Sequence, residues 1–239
     1  MKLDEWGYTN PVIAPLYSKP PLIWRDAQVV LVHYQANLDA IRSVLPEPME
    51  PWGNNVMAFV SWVPMGTQGA CGEACIYVQA RYKDYYGTYE PYLYVTTEIP
   101  LAAGREIWGF CKKLANINVR LDKEIARGEV ERVGTKILTI QTTIDEPADY
   151  GDLPWGDAGV FSVKCIPAAE EGEPALKQLV LTAGVVNNLP GRFFKGRGSI
   201  SFEHSDIDVL DILKPERVIA GYYGLIEMNL PLGKIVHRY

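Results

Sequence analysis

Ile76-Tyr77-Val78-Gln79-Ala80-Arg81-Tyr82 is the stretch on which the fold class turns. Gln79 and Arg81 alternate with Val78 and Ala80, and a period of two describes a strand with one face on a core and one in water. Comparable stretches rich in valine, tyrosine and phenylalanine surround it. Val29 to Tyr34, Val56 to Val63 and Tyr92 to Glu98 read as strands. So do Asn116 to Leu121, Lys136 to Ile144, Phe161 to Ile166, Gln178 to Val186, Ser199 to Glu203 and Val218 to Met228. Turn chemistry separates them, as at Gly134-Thr135 and Gly151-Asp152-Leu153-Pro154.

Helical signals are few. Asn37 stands as an N-cap before Leu38 to Val44, a segment that stops ahead of Pro46. Pro100 to Phe110 is the second candidate, kept to two or three turns by Gly104 and Gly109. Asp208 to Leu213, before Pro215, suits a single helical turn. With no repeat, linker or low-complexity tract, residues 1–239 are predicted to form one domain. Many short strands and few helices predict a mainly β (α+β) fold, an antiparallel sheet curled into a barrel-like form or a sandwich.

Composition narrows the chemistry. The 23 lysines and arginines fall short of the 29 acids, and a net charge of −6 argues against a nucleic-acid binder that neutralises phosphates. Three histidines and four cysteines leave little for a histidine metal cage or a disulfide framework. In extended chain Cys71 and Cys75 would stand about 13 Å apart, beyond disulfide reach. No run of apolar residues is long enough for a membrane span. Asp4 and Glu5 fall where a signal peptide needs cations, so a cytoplasmic protein with reduced thiols is expected. His33 reads as a core or subunit-contact histidine, His204 and His237 as surface ones. Asp206, Asp208 and Asp211 read as a solvated turn, and the basic run Gly191-Arg192 to Lys195-Gly196-Arg197 as a loop.

The chemistry is therefore sought in another residue type. Gly104-Arg105-Glu106-Ile107-Trp108-Gly109-Phe110-Cys111-Lys112-Lys113-Leu114-Ala115 sets two lysines against an aromatic, apolar stretch. Burial among such side chains disfavours an ammonium, and a neutral amine attacks ketones to give an iminium that accepts electrons. In extended chain the two lysines point to opposite faces, so the charge of Lys113 reaches Lys112 only from a distance.

These residues resemble the acetoacetate decarboxylases and their relatives. That family's pattern is Gly-Arg-Glu, an aromatic stretch and Pro-Lys-Lys-Leu, and Cys111 stands here where the family usually has proline. Gly69-Ala70-Cys71-Gly72-Glu73-Ala74 is similar to its Gly-x-x-x-Glu segment. Leu38-Asp39-Ala40-Ile41-Arg42 running to Leu45-Pro46-Glu47-Pro48 is similar to its early helix and Pro-Glu-Pro turn. The resemblance spans nearly the whole chain. It implies that Lys112 is the Schiff-base lysine, Lys113 the neighbouring cation and Glu73 a carboxylate that moves protons near the substrate. By the same resemblance Arg25 is the arginine that holds the substrate.

The implied activity is decarboxylation of a small 3-oxo acid such as acetoacetate, with no metal or organic cofactor, in a homo-oligomer. The second acid expected in the strand before Gly69 is missing from Met57-Ala58-Phe59-Val60. That departure leaves room for two alternatives: a Schiff-base aldolase or dehydratase acting on pyruvate and aldehydes, and a non-catalytic barrel that binds small molecules. Tyr222 and Tyr223 are candidates to send a hydroxyl toward the pocket. Because the whole chain is acidic, Lys113, Arg25 or Arg105 is expected to offset the negative field around an anionic substrate.

Overall fold

A computed structural model describes residues 2–155 and 159–239. The chain opens with β1 (Leu22–Ala36), α1 (Leu38–Val44), β2 (Glu50–Val63), β3 (Met65–Gly66), β4 (Cys71–Tyr82), β5 (Tyr85–Val95) and α2 (Glu98–Ala103). It continues with β6 (Lys112–Leu114), β7 (Asn116–Asp122), β8 (Ile125–Arg132), β9 (Thr135–Thr143), β10 (Glu146–Pro147) and β11 (Val160–Ile166). Last come β12 (Leu176–Thr182), β13 (Val185–Gly196), β14 (Gly198–Ser201), β15 (Pro215–Leu230) and β16 (Lys234–Arg238). The fold is mainly β, with a few short helices.

The strands form two sheets. The larger runs β10-β13-β15-β1-β2-β4-β5-β11-β12-β16, with β3 beside β1 and β6 beside β5. The smaller runs β14-β9-β8-β7. Pairing is antiparallel except where β5 meets β6 and β11. Neither sheet closes on itself, so the barrel-like sheet is an open one. The end strands β10 and β16 each pair with a single neighbour, and the smaller sheet covers one face of the larger.

The central strands are consequently buried on both sides. Val30, Val32, Val60, Ile76 and Val78 pack toward Ala126, Val130, Leu138 and Ile140 of the smaller sheet. On the opposite face Val29, Leu31, Phe59, Cys75 and Leu93 pack with Trp108, Phe193 and Tyr222. Gln79, whose alternation predicts a wet face, is only 3% exposed. Its side-chain carbonyl accepts from the backbone and side-chain amides of Asn55, and its own amide donates to the Pro154 carbonyl. An amide bonded at both its oxygen and its nitrogen can occupy a core without the cost of an orphaned polar atom.

Local signals carried through where short-range bonds decide the structure. The Asn37 side chain accepts from the amides of Asp39 and Ala40 and starts α1 at Leu38. Val185–Gly196 is a strand rather than a loop. Its register on β15 breaks between Asn188 and Phe193, around Pro190 and Gly191, and resumes at Phe193. β8 and β16 were not anticipated. All four cysteines are free, and His33 is buried, with Nε2 2.9 Å from Asn55 Oδ1. Asp208 is no solvated turn residue: it is buried and binds two cations. Among the described residues no helix is long and apolar enough to cross a membrane.

Candidate active site

The segment that delivers Lys112 is built by an unusual turn. α2 runs into a π-helical turn over Gly104–Trp108, in which the amides of Gly109 and Phe110 both donate to the Gly104 carbonyl at 3.0 Å. Gly109 then reverses the chain with φ 86°, a left-handed conformation that glycine adopts without steric cost. Trp108 is anchored by its indole N–H on the Pro231 carbonyl and by its own carbonyl, which accepts from Ser162 Oγ. The Lys112 amide donates to the Phe110 carbonyl at 2.8 Å, a three-residue turn centred on Cys111. The Cys111 thiol donates to the Glu90 carbonyl at 3.0 Å, tying down the position where the family has a stiffening proline.

β6 lies parallel to β5, with Leu93 beside Lys112 and Tyr94 beside Lys113. Lys112 is 5% exposed. Its aliphatic stem runs against Gly104, where a Cβ would fall 2.6 Å from Lys112 Cδ, so only glycine leaves the stem its path. Glu73, Cys75 and Tyr77 alternate along β4 and share one face. Glu73 is 7% exposed, and its Oε2 accepts from Lys112 Nζ at 2.7 Å.

Lys112 and Glu73 meet in a cavity of about 330 Å³, within the ordinary range for small-molecule sites. Its walls are mostly apolar and aromatic, among them Leu22, Trp24, Tyr77, Phe110, Tyr150, Trp155 and Met228. Lys112 Nζ stands 6.0 Å from the Phe110 ring centroid. Tyr77 and Trp155 pack edge to face with centroids 5.0 Å apart.

Glu90 also lines this cavity and is 6% exposed. It sits at a β-bulge, where Ile76 pairs with Tyr92 but Val78 with Tyr89, so Tyr77 opposes both Glu90 and Pro91. The extra residue changes the parity of β5, and Thr88, Glu90 and Leu93 all reach the cavity. Burial first, then the Glu73 charge, pushes the Glu90 carboxyl up to about 8, against the lesser pulls of Tyr77 and Lys112. Sequence reading sought a second acid in β2 and passed over this one. The available signal was a lone acid before proline in a tyrosine-rich strand, Tyr89-Glu90-Pro91.

The other expected cations lie elsewhere. Lys113 points to the opposite face, as alternation requires, with Nζ 2.6 Å from Asp208 Oδ1. Asp208 also accepts from Arg132 Nε at 2.7 Å and Tyr94 Oη at 3.0 Å. These bonds outweigh burial and hold its carboxyl below the ordinary range. Arg25, expected at the substrate, is half exposed and pairs with Glu227 at 2.6 Å. Arg105 donates to the Lys112 carbonyl. None of the three lines the cavity, and among the described residues Lys112 is its one cation. Tyr222 stacks on Phe193, and the Tyr223 hydroxyl accepts from Gln28, so neither phenol lines it.

Comparison with known proteins gives a consistent result. The family described as Acetoacetate decarboxylase (ADC) matches residues 9–239. The chain is 27% identical to an acetoacetate decarboxylase of Acidiphilium cryptum, over 99% of this chain and 97% of that one. Its fold is similar to the crystal structure of acetoacetate decarboxylase from Legionella pneumophila, with TM-score 0.88 at 23% identity over 99% and 95% of the two chains. It is also similar to the enduracididine biosynthesis enzyme MppR, complexed with the condensation product of pyruvate and imidazole 4-carboxaldehyde. That likeness has TM-score 0.83 at 20% identity, over 98% and 97% of the chains.

Proposed function

Because the chain belongs to the acetoacetate decarboxylase family, we propose that it is a Schiff-base lyase in which Lys112 attacks the ketone of a small 3-oxo acid such as acetoacetate. The observation that carries this reading is the Lys112–Glu73 pair, buried at 2.7 Å in a cavity that a small ligand can fill. Glu73 takes a proton from the Lys112 ammonium, and the freed amine adds to the carbonyl carbon. Glu73 returns the proton to the departing hydroxyl, which leaves as water, and a protonated imine remains. The carbon–carbon bond to the carboxylate then breaks and its electron pair flows into the imine. CO₂ leaves, the enamine takes a proton on carbon, and water hydrolyses the imine to release the ketone. The apolar walls exclude water from the imine until then.

A second reading is an aldol condensation and dehydration on pyruvate and an aldehyde through the same imine. Arg25 pairs with Glu227 outside the cavity, and no arginine lines it among the described residues, which removes the substrate contact expected for the decarboxylase and so weakens that reading relative to this one. The MppR complex shares this fold and holds a pyruvate condensation product.

Borohydride added with acetoacetate or with pyruvate, followed by intact and peptide mass, tests the shared step. An adduct on Lys112 is expected, and its absence with both compounds would leave a binding protein in place of an enzyme. CO₂ release from acetoacetate then separates the two enzymatic readings.

A further inference from the structure

We propose that Glu90 is the acid that exchanges a proton with the substrate carbon next to the imine, a proposal that rests on the Schiff-base reading of Lys112. Three observations carry it. Glu90 lines the same cavity as Lys112 and Glu73. Its Oε2 is fully buried and has no hydrogen-bond partner among the described residues, so no protein group holds that end of the carboxyl and a ligand proton can satisfy it once the side chain turns. The bulge at Glu90–Pro91 sets Glu90 on the same wall as Leu93, three positions on and the neighbour of Lys112, where strict alternation would have put the two on opposite faces. Those positions correspond to about 7–10 Å of strand, a span that a lysine terminus and a small bound ketone fill.

The division of labour follows from charge and position. Glu73 is engaged at the nitrogen, where it serves proton transfers of the amine and the departing hydroxyl. It already balances Lys112, the only cation of the cavity among the described residues. An ionised Glu90 would add an unmatched buried charge, so the resting group is the neutral acid, able to donate. The titratable groups around it are Glu73, Cys75 and Tyr77 of β4, Tyr89 of its own strand, Cys111, Lys112 of β6, and Tyr150. Burial raises the thiols and phenols among them and keeps them neutral.

The step balances. When the carbon–carbon bond breaks, its electrons form the enamine. The enamine carbon then takes the Glu90 proton, which regenerates the imine cation and leaves Glu90 as carboxylate. Solvent reprotonates Glu90 after hydrolysis. In reverse, the Glu90 carboxylate removes a methyl proton from the imine of acetone.

Acetone in D₂O is therefore the probe. The unsubstituted protein should exchange the methyl protons, and Glu90→Gln should slow that exchange tenfold or more while borohydride still fixes acetone on Lys112. The exchange uses Glu90 as carboxylate, so in the unsubstituted protein it should rise as the pH climbs through about 8, and decarboxylation of acetoacetate should fall over the same range. Exchange slowed less than tenfold in a Glu90→Gln protein that still forms the adduct overturns the proposal and leaves the Schiff base standing. Exchange by the unsubstituted protein that is flat between about pH 6 and pH 9 overturns it as well, even where the variant fails to fold. Absence of any adduct in the unsubstituted protein overturns both readings together.

Discussion

Glu73 and Lys112 lie 39 residues apart in the chain, and their side chains meet at 2.7 Å with less than a tenth of either surface exposed. β5 brings them together, since it pairs with β4 on one edge and with β6 on the other. Ion pairs this deep lose much of their attraction to desolvation, so their removal is felt through the charge left behind.

Lys112→Met should abolish borohydride trapping and destabilise the fold by about 3–5 kcal/mol at neutral pH, because Glu73 is left as a lone buried charge. Adding Glu73→Gln should recover at least about 2 kcal/mol of that loss. Urea denaturation of both single variants and the double variant closes the cycle, and additive effects would contradict a coupled pair.

Gly104→Ala should fold and yet lose about a hundredfold in kcat. A methyl at Gly104 would fall 2.6 Å from Lys112 Cδ and 2.7 Å from Cε, so the lysine stem must shift. A displacement of about 1 Å at a reacting group is worth roughly that factor. Steady-state kinetics beside a melting curve separate a moved nucleophile from an unfolded protein.

Lys113→Ala should leave the rate within about tenfold, because the Lys113 charge is held by Asp208 on the opposite face of β6. Asp208→Ala should be the more damaging change, costing about 3–5 kcal/mol by orphaning Arg132 and the Tyr94 hydroxyl together. Its carboxyl is held below the ordinary range, so the stabilisation is present above the unfolded-state value and is lost as the pH falls through the folded one. Urea midpoints measured from neutral to acid pH should converge for Asp208→Ala and the parent protein.

Glu90 works in the opposite sense. The unfolded chain releases this proton near 4.5 and the folded chain near 8, so stability falls as the pH rises between those values. The cost approaches about 3 kcal/mol at pH 7 and about 5 kcal/mol above pH 8. Glu90→Gln removes it, and the melting temperature of the variant should climb above that of the parent by several degrees at pH 8, with the difference shrinking toward pH 4.5. A destabilising group kept in the wall of a cavity is what a functional site leads one to expect.

Much of the molecule was legible in short stretches. Asn37 and the helix it starts, the alternation around Ile76–Tyr82 and the Gly104 to Leu114 motif depend on neighbours a few residues away, and alternation alone sent Lys112 and Lys113 to opposite faces. Glu73 and Lys112 were each expected at one site through the motifs that hold them, though their direct contact was not. Other features depended on what packs against a residue from far along the chain. Gln79 was taken for a wet position because its covering segment, at Pro154, lies 75 residues away. Arg25 was assigned to the substrate, yet Glu227, 202 residues on, takes its guanidinium. Glu90 drew no notice because its ionisation follows from burial and from the Glu73 charge, and its place on one wall with Leu93 from a bulge against Tyr77. Local bonding determined the strands, the capped helix and the lysine pair. Long-range packing alone decided that the sheets stay open, that one lysine is enclosed with two acids, and that the remaining cations stand outside.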